Sequence, residues 1–198
     1  HYPLRRQRQM CIRDSRTHIL AENIIKWGYD NTVVTRNTAA DFGKLHHYFD
    51  VVLVDAPCSG EGMFRKDAQA VTEWSPSQVG LCAERQREIL SDVWDTLRPG
   101  GLLIYSTCTY NREENEDMIH FLCKHFGATP LSADPPAAWH IRPSFDEDLP
   151  AYRFMPHYTR GEGLFMAIVR KPGNADECER DEWLQRFARK NRNKRPTA

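Results

Sequence analysis

Two apolar runs in the middle of the chain each end in a small polar loop that carries a cysteine. Val51 to Val54 predicts a strand buried on both faces, because four apolar residues follow one another without a polar break. Gly101 to Tyr105 predicts a second strand of the same kind. Ligands of open α/β sheets bind beyond the carboxyl ends of the strands. We therefore expect Cys58 and Cys108, which follow the two strands, to face one site.

Helical periodicity predicts three amphipathic helices around these strands. The first runs from Thr17 to a stop at Gly28, and the second from Leu81 to Leu97 before a stop at residues 98–101. The third begins at an Asn111 cap and ends at Gly127. Its first turn is acidic, with Glu113, Glu114 and Glu116. Shorter strands are expected at 32–35, 128–131 and 163–169, whereas residues 63–74 and 134–150 are expected to be irregular. The alternation of strands and helices indicates an α/β protein with a mostly parallel sheet.

The composition is that of a soluble globular protein. Hydrophobic residues make up 40% of the 198 residues, and 27 basic side chains balance 27 acidic ones. No membrane-spanning or secretory pattern is visible in the sequence. The six cysteines lack CxxC or metal-type spacing, which favours reduced thiols, a cytoplasmic location and no metal site. Adjacent His46 and His47 point apart on the chain and are not expected to share a metal.

Three segments differ in their patterning. Residues 1–15 are rich in arginine and show no periodicity, which predicts a non-native or disordered leader, with a basic RNA-binding arm as the alternative. Residues 16–171 carry the strand and helix signals and are expected to form one domain, or part of one. Residues 172–198 form a charged C-terminal tail, whose basic end is either solvated or an RNA contact.

The residue types around the two loop cysteines allow nucleophilic chemistry. A cysteine reacts as its thiolate, which forms in exposed polar or electropositive settings and not in packed apolar ones. Cys58 and Cys108 lie among serine, threonine and glycine, with Arg65 and Lys66 close in sequence, whereas Cys123 lies in a helical pattern. Spacing alone leaves two interpretations: at least one loop cysteine is catalytic, or both are small loop residues.

Two long motifs carry a resemblance to a known family. Asp55 to Asp67 (DAPCSGEGMFRKD) and Tyr105 to Glu116 (YSTCTYNREENE) resemble the paired signatures of the Nop/Sun family of RNA cytosine-5 methyltransferases, particularly its bacterial ribosomal RNA branch. Further similarity runs through Arg16 to Asn31 and Arg153 to Lys171, so the resemblance covers most of residues 16–171. A single PC or TC dipeptide would carry no weight, but both long motifs in order at this separation are specific.

The resemblance implies a reaction on RNA, in this branch ribosomal RNA, with S-adenosylmethionine as cofactor. Carbon-5 of cytosine is a poor nucleophile, so a thiolate must first add to carbon-6. In this family that thiolate belongs to the TC motif, here Cys108, and the PC cysteine, here Cys58, assists elimination of the methylated base. Asp55 matches an acidic residue at the edge of the cofactor and target base, and Pro57 stiffens its loop. Lys66 matches a basic position beside the substrate, with a solvated surface lysine as the alternative.

The match is incomplete on the cofactor side. Family members have a glycine-rich loop after the first strand and an acidic residue after the second, and neither is found in this sequence. At the position where the family often has an adenine-contacting aspartate lies Thr38, with Asn37 and Asp41 as possible substitutes. The resemblance thus implies a Rossmann-like methyltransferase sheet, mostly parallel with an antiparallel strand near one edge, that lacks its first two strands. We expect a monomeric, C-terminal portion of a longer catalytic domain, without membrane or metal partners.

Three other functions compete with RNA cytosine methylation. A non-catalytic RNA-binding or docking module would account for the basic C-terminus and the absent cofactor loop. A small-molecule methyltransferase would leave the paired cysteines unexplained. A DNA cytosine methyltransferase would take its nucleophile from the PC motif alone, which would make Cys58 the attacking residue instead of Cys108.

Overall fold

The computed structural model describes residues 17–28 and 31–173 of the chain. The chain divides into two compact units, His1–Asp41 and Phe42–Ala198. The expectations for the leader at 1–15 and for most of the tail at 172–198 lie outside the described residues.

Helix α1 of the first unit, residues 17–27, ends where the sequence predicts. Gly28 has a φ of +84°, and its N–H donates to the Ile24 carbonyl at 3.2 Å. A left-handed conformation at this position favours glycine, because other side chains would clash with the backbone. Of the apolar side chains of this helix, Ile19, Leu20, Ile25 and Trp27 are exposed, and Ile24 is partly buried.

The strand predicted at residues 32–35 of the same unit is wrong. Residues 32–38 are assigned neither strand nor helix, and Val33 is exposed. β-branched residues favour a strand through their packing against neighbouring strands, so their preference alone does not create one. A short helix, α2 (Ala39–Phe42), follows this segment.

The second unit contains the sheet and the two loop cysteines. Its elements after α2 are β1 (Phe49–Asp55), a 3₁₀ helix (Glu61–Arg65), α3 (Ala68–Glu73), α4 (Pro76–Trp94), β2 (Leu97–Thr107), α5 (Glu116–Phe126), β3 (Thr129–Leu131), a second 3₁₀ helix (Ala137–Trp139), β4 (Arg142–Pro143), β5 (Ala151–Phe154) and β6 (Leu164–Arg170).

The six described strands form one mixed sheet. Its order is β1-β2-β6-β5-β4, and β3 also pairs with β6. The β1–β2 pair is parallel, whereas the four other pairs are antiparallel. Strands β3 and β5 pair with different parts of β6, at residues 168–170 and 164–167 respectively. The described part of the sheet is therefore mixed, with a smaller share of parallel pairs than the alternating pattern predicts.

One hydrophobic core joins the sheet to α4 and α5. Alternate residues of β2 and β6 enter it, including Leu103, Tyr105 and Phe165, together with Leu90 of α4 and Ile119 of α5. All five side chains are fully buried. The apolar face predicted for α5 is thus confirmed, and Gly127 ends that helix with a φ of +66°.

Strand β1 is buried on one face only, so the prediction of burial on both faces is wrong. Val54 is buried, whereas Val51 and Leu53 are 51% and 64% exposed. Alternate residues of a strand point to opposite faces. In the described part of the chain β1 pairs with β2 alone, and the face that carries Leu53 has no packed layer over it.

Two predicted boundaries also differ. Helix α4 ends at Trp94, not at Leu97, and β2 already begins at Leu97 because that residue pairs with Phe49 of β1. The stop signal at 98–101 is part of the strand, since Gly100 donates to the Lys171 carbonyl at 3.1 Å. Residues 63–74, expected to be irregular, belong largely to the first 3₁₀ helix and to α3.

A buried ion pair ties α5 to β5. Glu116 at the start of α5 and Arg153 in β5 are 2% and 1% exposed, and Arg153 Nε donates to Glu116 Oε1 at 2.9 Å. Arg153 Nη1 also donates to the Tyr110 carbonyl at 2.8 Å, which fixes the loop after β2. Burial alone would raise the pKa of Glu116, but hydrogen bonds from Arg153 and the Phe145 N–H outweigh it and leave the pKa below its ordinary value.

We predict that Arg153→Ala lowers the free energy of unfolding by about 3–5 kcal/mol, because it leaves the Glu116 carboxylate buried without its counter-charge. Urea unfolding at pH 7 measures the loss. The control is Arg85→Ala, which breaks the exposed pair with Glu88 and should cost less than about 1 kcal/mol. Equal losses in the two variants would contradict this account of the buried pair.

The contribution of this pair to stability depends on pH. Because the folded-state pKa of Glu116 is depressed, the contribution is present above the unfolded-state pKa and disappears as the pH falls through the folded-state value.

Candidate functional site

The carboxyl ends of β1 and β2 lie side by side. The two strands are parallel, and their register places Asp55 opposite Ser106. The Ala56 N–H donates to the Ser106 carbonyl at 2.9 Å, which continues the pairing one residue past β1. The loops that carry Cys58 and Cys108 therefore start from the same edge of the sheet.

The two cysteine sulfurs are in contact. Cys58 Sγ and Cys108 Sγ are 3.2 Å apart, and both residues are partly buried. The expectation that both cysteines face one site is confirmed. A hydrogen bond from the Cys58 thiol lowers the pKa of Cys108 to about 7, against burial and the negative charge of Asp55, which both raise it. The same hydrogen bond, together with burial, raises the pKa of Cys58 far above its usual range. The opposite shifts make Cys108 the sulfur of the pair that ionises first, with the Cys58 thiol as donor.

The buried carboxylate of Glu114 connects the loops that carry Cys58 and Cys108. Glu114 is fully buried, and its oxygens accept hydrogen bonds from three side chains or main-chain groups. The donors are the Ser59 N–H at 3.0 Å, Gln86 Nε2 at 2.8 Å and Asn111 Nδ2 at 2.7 Å. Gln86 Nε2 lies 2.9 Å from the Pro57 carbonyl as well, so helix α4 also supports the first loop. Buried carboxylates require such partners, since an unpaired one is strongly unfavourable.

Close backbone contacts lock the first 3₁₀ helix onto the Cys108 loop. The Gly62 N–H donates to the Cys108 carbonyl at 2.9 Å. Glu61 Oε2 accepts from the N–H groups of Tyr110 and Asn111 at 2.6 and 3.0 Å. A Cβ atom on Gly62 would lie 2.7 Å from the Cys108 carbonyl oxygen and 2.9 Å from that of Glu162. Only glycine fits there without a backbone shift.

The structure places the other predicted site residues as follows. Asp55 is exposed at the end of β1, and its Oδ1 accepts from the Ser106 hydroxyl at 3.2 Å. Pro57 lies in the Cys58 loop. Lys66 follows the first 3₁₀ helix and forms an ion pair with Glu162 at 2.7 Å. Thr38 belongs to the first unit, where its N–H and hydroxyl donate to Asp41 Oδ2 at 2.7 and 2.8 Å.

Sequence reasoning missed the residues that support the site. Glu114 and Glu116 are predicted to lie in the acidic first turn of a helix, but both are buried, and α5 begins only at Glu116. Asn111 does not cap α5. It closes a turn by accepting from the Glu114 N–H at 2.9 Å. The available signal was the occurrence of these residues inside the second family motif. Gln86 in the middle of α4 had no signal of its own.

Metal binding and membrane spanning receive no support from the described residues. Among them, His, Cys, Asp and Glu side chains do not gather in groups of three that could hold a metal ion. The helices of residues 17–28 and 31–173 also include none with the length and apolarity needed to cross a bilayer.

The chain resembles proteins that modify ribosomal RNA. A family model described as 16S rRNA methyltransferase RsmB/F matches residues 9–170. The protein named ribosomal RNA small subunit methyltransferase F in Pectobacterium carotovorum is 44% identical over 174 residues, which cover 84% of this chain and 34% of that protein. Its namesake in Serratia proteamaculans is 38% identical over 161 residues, or 79% of this chain and 33% of that protein. The chain therefore spans about a third of the length of the curated relatives it matches.

Solved structures from Pyrococcus horikoshii have the same fold. NSun6 with SFG aligns with a TM-score of 0.65 and 26% identity, over 81% of this chain and 40% of that one. A methyltransferase homolog protein aligns with a TM-score of 0.68 and 26% identity, over 80% of this chain and 50% of that one. The predicted Rossmann-like α/β methyltransferase fold is confirmed by these two neighbours.

We predict that Cys108 reacts with iodoacetamide with a midpoint near pH 7, because only its thiolate is nucleophilic. Rates are measured by mass spectrometry of the Cys108 peptide between pH 5 and 10, with Cys82 as an internal reference. Cys58→Ala removes the hydrogen-bond donor and should raise the midpoint by about one unit or more. Asp55→Asn removes a negative charge and should lower it. Shifts in the same direction in both variants would contradict this electrostatic account.

We predict that Gly62→Ala lowers the free energy of unfolding by about 1–3 kcal/mol, since its methyl group overlaps two backbone oxygens. The matched control is Gly80→Ala on α4, where a methyl group meets nothing within 4 Å. That change should raise stability by about 0.5–1 kcal/mol. Urea unfolding of both variants measures the difference, and a neutral Gly62→Ala would show that the contact can relax.

Proposed function

Since the chain belongs to the RsmB/F family of 16S rRNA methyltransferases, we propose that Cys108 adds to carbon-6 of a cytosine in RNA and so prepares carbon-5 for methylation. The observation that carries this proposal is the contact between the two sulfurs, which lowers the pKa of Cys108 to about 7. The relatives' names, which specify the small ribosomal subunit, support ribosomal RNA as the substrate and the cytoplasm as the location.

The attack begins from the resting thiol and thiolate pair. The Cys108 thiolate forms a bond to carbon-6, and the electron pair of the carbon-5 to carbon-6 double bond moves onto the base. Carbon-5 then becomes nucleophilic. Asp55 Oδ2 has no partner among the described residues, and a carboxylate in this position can accept a hydrogen bond from the cytosine amino group. Lys66, at the edge of the site, is proposed to face the substrate as well.

Release of the product uses the second cysteine. Once Cys108 is a thioether it carries no charge, so the hydrogen bond that raises the pKa of Cys58 is lost. Cys58 can then give its proton to solvent and take the proton from carbon-5. The carbon-6 to sulfur bond breaks, and Cys108 leaves as a thiolate. This cycle returns both sulfurs to their starting states.

The methyl donor in this proposal is S-adenosylmethionine, which supplies an electrophilic methyl group when bound. The structural neighbour with SFG, an analogue of that compound, supports the choice. Asp55 and Pro57, at the carboxyl end of β1, fit a site at that edge of the sheet. The adenine contact of Thr38, a residue of the first unit, stays a prediction from the family resemblance. Because the chain spans about a third of its relatives' length, the activity of the whole protein is itself part of the proposal.

We predict that this chain forms a covalent adduct with RNA that contains 5-azacytidine, because addition of the thiolate precedes methyl transfer. The adduct is measured as a slower band on a denaturing gel, and mass spectrometry locates it on Cys108. Cys108→Ala should abolish it at any pH, whereas Cys58→Ala should slow it at pH 7 and retain it at about pH 9, where the Cys108 thiolate forms without its donor. Cys82→Ala is the control for loss of an unrelated thiol.

The outcomes separate the competing functions. An adduct on Cys58 would indicate the chemistry of DNA cytosine methyltransferases. RNA binding without any adduct would indicate a docking module. Neither RNA binding nor an adduct would favour a small-molecule methyltransferase.

A further inference from the structure

A basic cleft opens beside the cysteine site. It has a volume of about 460 Å³ and is lined by residues 65–66, Pro156 and residues 159–162. The lining comes from the end of the first 3₁₀ helix and from the segment that precedes β6. The mechanism proposed above uses Lys66 from this lining but gives no role to the cleft itself.

The cleft has an excess of positive charge. Lys66 Nζ lies 2.7 Å from Glu162 Oε1, so these two charges compensate each other. Arg65 and Arg160 enter no ion pair with any residue in the described ranges, and both are exposed. Arg65 has one contact at the limit of a hydrogen bond, from Nη1 to the Pro156 carbonyl at 3.5 Å. Two guanidinium groups therefore line one concave surface without an ion-pair partner among the described residues.

The wall of the cleft is shared with the cysteine site. Glu162, in the lining, accepts a hydrogen bond from the Tyr110 hydroxyl through its carbonyl. The Gly62 Cβ position lies 2.9 Å from that carbonyl and 2.7 Å from the carbonyl of Cys108. Burial raises the pKa of Tyr110, and the positive charge of Arg65 opposes this effect. An anion in the cleft would thus be a near neighbour of the attacking residue.

We propose that Arg65 and Arg160 bind a backbone phosphate of the RNA next to the target cytidine. The guanidinium group presents a planar fork of donors that matches the oxygens of a phosphodiester. Phosphate contacts of this kind fix the register of a nucleic acid without reading its sequence. The cleft would hold the strand while the cytosine enters the cysteine site. This inference rests on the proposed function, because it takes RNA as the substrate.

The test compares RNA binding by wild type, Arg65→Gln, Arg160→Gln and the double variant. Fluorescence anisotropy follows a labelled single-stranded oligoribonucleotide with one cytidine between 50 and 300 mM salt. Each lost phosphate contact should reduce the slope of log K against log salt by about 0.7. We expect the double variant to bind about tenfold more weakly at the lowest salt. Arg85→Gln, an equal charge change on α4, should change neither the affinity nor the slope.

Two further measurements make the result specific to this cleft. Glu162→Gln removes the negative charge of the lining and should tighten binding several-fold, which a folding defect would not do. An oligonucleotide with neutral methylphosphonate linkages on both sides of the cytidine should bind wild type more weakly but leave the double variant almost unaffected, since the two changes remove one interaction. A double variant with wild-type affinity, salt slope and methylphosphonate penalty would overturn the proposal.

A free phosphate and an RNA phosphate are distinguished by competition. Inorganic phosphate that displaces the oligonucleotide from wild type, at constant ionic strength and below about 1 mM, would make the cleft a site for the free anion and would overturn the RNA assignment. The 5-azacytidine adduct separates this proposal from the proposed function. Dependence of RNA binding on Arg65 and Arg160 without a Cys108 adduct would leave the phosphate site standing and remove the methylation mechanism, whereas an adduct with no such dependence would do the reverse.

Discussion

The buried carboxylate of Glu114 is the interaction on which the site depends. Parallel pairing of β1 and β2 brings the two strand ends together, but it does not fix the loops that follow them. Glu114 does so, because its oxygens accept from Ser59 in the first loop, from Asn111 in the second and from Gln86 on α4. A charge inside a protein is tolerated only when it is hydrogen-bonded, so the Glu114 carboxylate requires these donors. The position of the sulfurs therefore follows from a polar network in the interior and not from the apolar core alone.

The sulfur pair has a different physical basis from that of a single activated cysteine. Many reactive thiolates are stabilised by a neighbouring cation or a helix N-terminus. Here the stabilising group is a second thiol, and the formal charge with the largest effect on the pKa of Cys108 is the unfavourable one of Asp55. A thiol donor is weaker than a cation, but its influence disappears when Cys108 forms a covalent bond. The arrangement can therefore give two cysteines opposite protonation roles at different steps, with no movement of the backbone.

The parts of the fold that could be predicted are those whose signals are local. Val51 to Val54 followed by Pro57, and Gly101 to Tyr105 followed by small residues, identify two strands and their polar ends without knowledge of any distant contact. The residues whose burial could not be predicted depend on distant partners. Strand β5 contains Arg153, which no strand pattern would place in a core, and its burial is possible only because Glu116 lies opposite it. The burial of Glu114 depends in the same way on a loop 55 residues earlier in the sequence. Residues 32–35 have the local preference for a strand, but no strand of the described residues pairs with them.

The arginines of the second unit show how the surroundings decide the role of one residue type. Arg153 is buried, and each nitrogen of its guanidinium group donates to Glu116 or to the Tyr110 carbonyl, so its charge serves the fold. Arg65 and Arg160 are exposed in a concave surface and form no ion pair within the part of the chain that the structure describes, since the Glu162 carboxylate in the same lining pairs with Lys66. Concave surfaces with one sign of charge concentrate the field and attract counter-ions from a distance. A chain with equal numbers of acidic and basic residues can therefore present a strongly basic site, because the overall balance of 27 against 27 says nothing about where uncompensated charges lie. A nucleic acid can supply a partner for each kind of group. Its phosphodiester matches the two unpaired guanidinium groups, and its base matches the reactive sulfur beside them.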